Sequence, residues 1–176
     1  MIKDIKNMKR IISALIAIST LFLSGTAGAV AGNEATHLST HLSTPSAQQI
    51  AEDKIADILV RSEKAGGHLL ARHVGKTTAD LKARLIKEPS IAAASTFISV
   101  AEAKMAVGKA LQSNASRISA WVSNGARGRL ALNAPFSCGA VLIRGATVSM
   151  KGTGVRIILQ GDGRGGLYIL TGFPTR

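Results

Sequence analysis

Cysteine is almost missing from this chain of 176 residues: Cys138 stands alone, so no intramolecular disulfide can form. The fold must hold by packing. A single cysteine also cannot build a multi-cysteine zinc site. A nucleophilic thiol needs a base beside it, which the surrounding residues do not suggest, so Cys138 reads as a small packed residue. Aromatics are scarce as well, with one Trp, one Tyr and four Phe. A general single-strand binder stacks bases on several rings of one sheet face, and this supply is too small for that. Acidic residues number 10 against 22 Lys and Arg, a net charge of +12. Such an excess points to an anionic partner, whether nucleic acid, a membrane surface or an acidic protein. The one long apolar run, Ile11 to Leu23, is 13 residues, short of the ~20 that a spanning helix needs.

That run has a purpose of its own. Lys3, Lys6, Lys9 and Arg10 precede it against a single Asp4, and small residues follow from Ser24 to Ala31. Charged, apolar and small-residue regions in that order describe a cleaved secretory signal peptide, here 1–29. The protein is therefore expected to be exported, periplasmic or secreted, with no stable membrane insertion after cleavage. Losing four basic residues and one acidic residue lowers the net charge from +12 to +9. The remaining chain, roughly 145 residues, suits one domain with a real core.

Residues 30–48 read as a flexible linker. They carry the repeat His37-Leu38-Ser39-Thr40, His41-Leu42-Ser43-Thr44 and then Pro45, with no sustained period. His37 and His41 would meet on a helix, but a Ser/Thr linker accounts for the segment better. The domain proper spans 49–176. Ile50, Ile55, Ile58 and Leu59 form a helical stripe over about 47–64, stopped by Gly66-Gly67. Thr77 with Asp80 predicts a cap on a short helix to about Lys87, ended by Pro89. Ser99-x-x-Glu102 is a capping-box pattern opening a helix to about Leu111. Asn114 is expected to cap the next, 115–123, where Ile118 and Trp121 share a face and Trp121 anchors the core. β-rich runs then follow at 129–133, 139–144, 154–160 and 167–173. Helices first and an antiparallel sheet second make an α+β fold.

Two motif matches fail on context. Gly161 to Gly166 fits G-x-G-x-x-G, but a strand follows it where a dinucleotide site needs a helix, so it reads as a hairpin turn. Gly75-Lys76-Thr77 ends like a phosphate-binding loop, yet Leu70 stands where a further glycine is required. Histidine is the side chain best suited to acid–base work near neutral pH, and the folded part holds two, His68 and His73. Five residues apart, they diverge by ~140° on a helix and point oppositely on a strand. Only one is expected to face a given cleft unless the chain bends between them. On a helix His68, Arg72 and Lys76 would share a face. On the last strand Thr171 and Phe173 should point to one side, and Tyr168 and Leu170 to the other.

Taken in order, Gly66-Gly67-His68, Arg72-His73-Val74-Gly75-Lys76-Thr77, Leu81-x-x-Arg84-Leu85, Ala94-Ser95-Thr96-Phe97 and Tyr168-x-Leu170-Thr171-x-Phe173-Pro174 form a series. The series resembles the bacterial ribonuclease A-like toxin domain found at the C-terminus of CdiA contact-dependent growth inhibition proteins. It covers about 65–174. The resemblance implies a ribonuclease A-like fold and a ribonuclease that uses no metal or other cofactor, with RNA and a cognate immunity protein as partners. It implies a site in which the histidine is His73, the arginine Arg84 and the threonine Thr171, with His68 as the alternative histidine. Lys76 and Arg72 would add attraction for phosphate. The family's tyrosine falls at Phe173, so a ring without a hydroxyl would meet the substrate. By this reading the ribose 2′-OH attacks the adjacent phosphorus while His73 takes its proton. Arg84 would stabilise the charge on the phosphoryl oxygens, Thr171 would bond the phosphate or a base edge, and a 2′,3′-cyclic phosphate results. DNA, lacking the 2′-OH, would not react. A rival reading, favoured by Phe173, is a non-catalytic exported basic domain that binds an anionic or protein partner.

Overall fold

The structure is a computed structural model that describes residues 47–164 and 166–176. The expected signal peptide, and all of the expected linker except Ala47 and Gln48, lie outside the described residues; those two open the first helix. Helix α1 (Ala47–Lys64) buries Ile55, Ile58 and Leu59, the stripe read from the sequence. A one-turn helix α2 (Leu69–His73) follows the glycine pair. Helix α3 (Thr78–Lys87) begins with a full capping box, Thr77 accepting from the Asp80 amide while Asp80 accepts from the Thr77 amide. Next come strand β1 (Ala93–Thr96), helices α4 (Val100–Ser113) and α5 (Ala115–Ser123), and strands β2 (Arg127–Ile143), β3 (Met150–Asp162) and β4 (Leu167–Thr175). The strands form one antiparallel sheet in the order β1-β2-β3-β4. None of the described helices is long and apolar enough to cross a membrane.

Several local expectations are corrected by packing. The runs 129–133 and 139–144 are one strand, β2, whose register shifts between Pro135 and Cys138 and again between Cys138 and Ala140. Those irregularities absorb Pro135 and Gly139 without a turn. Ala93–Thr96, not expected as a strand, becomes β1 because the far end of β2 offers it an edge, pairing Ala93 with Ile143 and Thr96 with Ala140. Asn114 does not cap α5 with its side chain. Its Nδ2 donates to the Ala110 and Asn133 carbonyls, tying α4 to β2. Ser99 caps α4 as expected, but the Glu102 carboxylate reaches the Ile98 and Gly139 amides instead of the Ser99 amide. The hairpin at 161–166 holds: Asp162 Oδ1 accepts from the Arg164 and Gly166 amides.

One sheet face is apolar. Leu132, Ala134, Val155, Ile157, Leu159, Leu167 and Ile169 are buried there with α1 and α4. A smaller cluster of Leu81, Leu85, Ala94 and Leu142 seats α3 against the β1–β2 end. Cys138 is fully buried, and burial pushes its thiol up to about 11, which leaves it protonated and inert.

The other sheet face is set by a bulge. Ile158 pairs with Thr171 but Leu159 pairs with Ile169, so Leu170 has no partner in β3. The extra residue reverses the alternation. Tyr168 therefore lies on the same face as Thr171 and Phe173, contrary to strict two-residue alternation. The groups at the bulge are satisfied from outside the sheet: the Ile169 amide donates to Ser62 Oγ (3.0 Å) and the Leu170 carbonyl accepts from the His68 amide (2.9 Å). Gly67 sits between them, its amide donating to the Ser62 carbonyl (2.8 Å). A Cβ on Gly67 would press into the Ile169 carbonyl oxygen and lie 2.8 Å from the Ser62 carbonyl oxygen. Gly67→Ala should thus destabilise the domain by about 2–3 kcal/mol, as overpacking against backbone does. Chemical denaturation of the two proteins checks this, and an unchanged midpoint would refute the close packing.

Candidate functional site

The site gathers where α2, α3, β1 and β4 meet. His73 ends α2 and is 4% exposed. Its ring lies against Phe173 of β4, centroids 5.3 Å apart and tilted by 31°. Its Nδ1 stands 3.2 Å from the Ser95 carbonyl of β1. A carbonyl oxygen can only accept, so Nδ1 carries the proton and Nε2 presents the lone pair. Burial, with the Arg84, His68 and Arg72 charges adding to it, pushes His73 down to about 4 although the Ser95 contact opposes this. At neutral pH the imidazole is uncharged and able to accept a proton.

The segment after His73 is pinned to β1. The His73 carbonyl accepts from the Phe97 amide (2.7 Å) and the Gly75 amide donates to the Phe97 carbonyl (2.9 Å). Thr96 Oγ1 accepts from the Lys76 amide (3.0 Å) and donates to the Phe97 carbonyl (2.9 Å). The Ala94-Ser95-Thr96-Phe97 block thus has a physical task, which is to hold the histidine's main chain and ring in place.

Arg84 projects from α3, where Leu81 and Leu85 on the buried face leave it 23% exposed. Glu88 lies beside it. One carboxylate oxygen is 3.4 Å from both Nε and Nη2 of Arg84, and the other accepts from Arg72 Nη2 at 2.6 Å. One carboxylate between two guanidinium groups leaves a net positive charge. A cleft of about 350 Å³ opens here, lined by Arg72, Lys76, Asp80, Arg84, Lys87 and Glu88 among others. Neither His73 nor Thr171 lines it. The cleft adjoins the histidine side of the site through Arg72 and Arg84, whose charges act on both histidines. It offers attraction for an anion; the proton acceptor is outside it.

Thr171 comes from β4, and its Oγ1 is the one buried side-chain N or O atom without a hydrogen-bond partner among the described residues. An orphaned buried hydroxyl costs about 1–3 kcal/mol and is expected where a ligand completes it. His68 is the N-cap residue of α2, with φ −150° and ψ 26°, off the helical path. The chain therefore turns between the two histidines, and the His68 charge adds to the lowering of His73. Burial lowers His68 first, then the Arg72 charge, with Arg84 and Arg129 adding and Glu63 opposing. The face once expected to join His68, Arg72 and Lys76 does not form, because α2 ends at His73 and Lys76 lies beyond it. Arg72 is exposed and Lys76 half-buried at the cleft. The sequence did not indicate that Tyr168 shares the face of Thr171 and Phe173, because the bulge hides it. Among the described residues no three His, Cys, Asp or Glu side chains converge as metal ligands would.

Comparison with known proteins now bears on this arrangement. Residues 67–174 match the family described as the bacterial CdiA-CT RNAse A domain. Among solved structures, the chain is similar to one reported as the crystal structure of a CdiA-CT/CdiI complex from Y. kristensenii 33638. The two are 34% identical with a TM-score of 0.55, over 62% of this chain and 100% of that one. No curated protein matched. The match runs from the glycine that seats His68 to the proline that closes β4, and the α+β order of helices before an antiparallel sheet agrees with it. The chain belongs to the bacterial CdiA-CT ribonuclease A-like toxin domain family.

Proposed function

We propose that this chain is an exported, metal-independent endoribonuclease of the toxin type. It cleaves RNA by attack of the ribose 2′-OH on the adjacent phosphorus, leaving a 2′,3′-cyclic phosphate and a free 5′-OH. The observation that carries the reading is His73: uncharged, with Nδ1 committed to the Ser95 carbonyl and Nε2 left as the base. A base held in one tautomer at one position needs no reorganisation before it takes the 2′-OH proton. Arg84, supported by Glu88, stabilises the charge that gathers on the phosphoryl oxygens. The Thr171 hydroxyl finds its missing partner in the phosphate or a base edge. Phe173 orients and desolvates His73. His68 is the second titrating group in the same field; burial first, and then the Arg72 charge, make it readier to release a proton to the leaving 5′ oxygen once it carries one. Arg72 and Lys76 draw the phosphate chain towards the cleft. The export pattern at 1–29 keeps such an enzyme from the RNA of the cell that makes it. The similar solved chain is in complex with CdiI, and a cognate immunity protein is the partner proposed for this chain. The second reading, a non-catalytic binding domain, is favoured by the missing hydroxyl at Phe173.

The two readings separate when the protein without residues 1–29 is incubated with RNA in EDTA. Cleavage is expected, with cyclic-phosphate ends, and His73→Ala should lower the rate on the order of 10²–10⁴-fold. No cleavage with or without EDTA would leave only the binding reading, and cleavage lost solely in EDTA would rule out the metal-free mechanism.

The pH profile follows from the sign of the His73 shift. Its pKa is lowered to about 4, and the base works deprotonated, so kcat/KM should not fall as pH goes from 7 to 5 and should drop through about 4. An acidic limb near 6.5, the ordinary histidine value, would contradict the buried, neutral base. Restoring the family's hydroxyl with Phe173→Tyr should raise kcat, by about tenfold if the hydroxyl donates to a charged oxygen in the transition state. Steady-state kinetics at fixed pH tests this, and a fall in rate would show that the ring packing against His73 matters more.

A further inference from the structure

The bulge at Leu170 organises the open face of the sheet into rows that cross the strands. One row is Ala131, Ile158 and Thr171; the next towards the 161–166 hairpin is Arg129, Gln160 and Tyr168. Arg129 thus lies one pleat along from Thr171 and two strands across from it, roughly 12 Å between their Cα atoms at ordinary sheet spacings. Its side chain is held. Arg129 Nε donates to Gln160 Oε1 at 3.2 Å, while Gln160 Nε2 donates to the Gly128 (3.1 Å) and Gly161 (2.9 Å) carbonyls. Gln160 therefore cannot rotate away without losing three hydrogen bonds. The two terminal nitrogens of Arg129 have no hydrogen bond or ion pair among the described residues, and the residue is exposed. Arg129 shares its sheet face with Phe173, against which the His73 ring packs.

We infer that Arg129, clipped by Gln160, is a second phosphate-binding position that takes an RNA phosphate to one side of the one undergoing cleavage. The substrate class rests on the ribonuclease reading above. A guanidinium anchored through Nε presents its two Nη groups as a fork, the shape that grips a phosphate through two parallel hydrogen bonds. Arg129 is exposed on the sheet face that also carries Thr171 and Phe173, so an RNA strand that reaches the His73 side of the site across this face passes within reach of its fork. Arg84 and His73 serve the reacting phosphate; Arg129 sets the direction and register of the strand. Lysine at 129 would keep the charge but neither the clip nor the fork.

The test is binding of a single-stranded 2′-O-methyl oligoribonucleotide, which cannot react. Its outcome is therefore independent of whether the protein cleaves RNA. Arg129→Gln should bind about tenfold more weakly at low salt, the loss of one bidentate charged contact. The slope of log K against log salt should fall in magnitude by about 0.7, the value for one single-strand phosphate. Arg129→Lys should recover part of the affinity. Lys109→Gln, which removes an exposed charge from α4, controls for net charge and should bind as the wild type does. Equal affinity and slope for Arg129→Gln and the wild type would overturn the assignment. So would an equal loss in Lys109→Gln. Absence of RNA cleavage with Arg129-dependent binding intact would instead sink the ribonuclease reading and leave this position standing.

Discussion

The architecture turns on the junction between the β4 bulge and the α1–α2 loop. Two hydrogen bonds make it, Ile169 amide to Ser62 Oγ and His68 amide to the Leu170 carbonyl. Both sheet groups are buried or half-buried, and leaving either unpaired would cost about 1–3 kcal/mol. The loop can come this close only because Gly67 has no side chain. Through this junction the strand that bears Thr171 and Phe173 is joined directly to the segment that bears His68 and His73.

Much of the site's electrostatics follows from that placement. His73 is clamped between Ser95 of β1 and Phe173 of β4, and the clamp both buries it and selects its tautomer. Arginines gather around it without charging it, because desolvation and like-charge repulsion act in the same direction on an imidazolium. Glu88 offsets part of the Arg72 and Arg84 charge, which lets two guanidinium groups stand close together before any phosphate arrives. A neutral imidazole beside a cationic cleft is the arrangement that the proposed phosphoryl transfer calls for. A domain with one cysteine achieves it through packing alone. Two apolar clusters, one beneath the sheet and one beneath α3, carry the load that disulfides bear in small exported folds.

The features legible in the sequence were those governed by near neighbours. The α1 stripe, the Thr77–Asp80 capping box, the Ser99 cap and the Asp162 turn each depend on residues within a few positions of one another, and each is found where its pattern lies. The ordered motif blocks likewise located the family. Other features depended on partners far along the chain. β1 is a strand only because β2 passes beside it. Asn114 looked like a cap and became a tie to Asn133. The merging of two apolar runs into β2 reflects bulges that hydrophobic pattern alone does not mark.

What the sequence by itself determined, then, is the order of elements, the family and the types of side chain available for chemistry, because local hydrogen bonding and periodicity decide them. Which side chains share a surface was decided only in the tertiary structure. Tyr168 crosses to the face of Thr171 because a bulge is paid for by hydrogen bonds to residues over a hundred positions away. Arg129 is held in place because strand pairing brings Gln160 beside it. A period of two can say that residues alternate. It cannot say where the alternation slips, since the slip is stabilised by groups outside the strand.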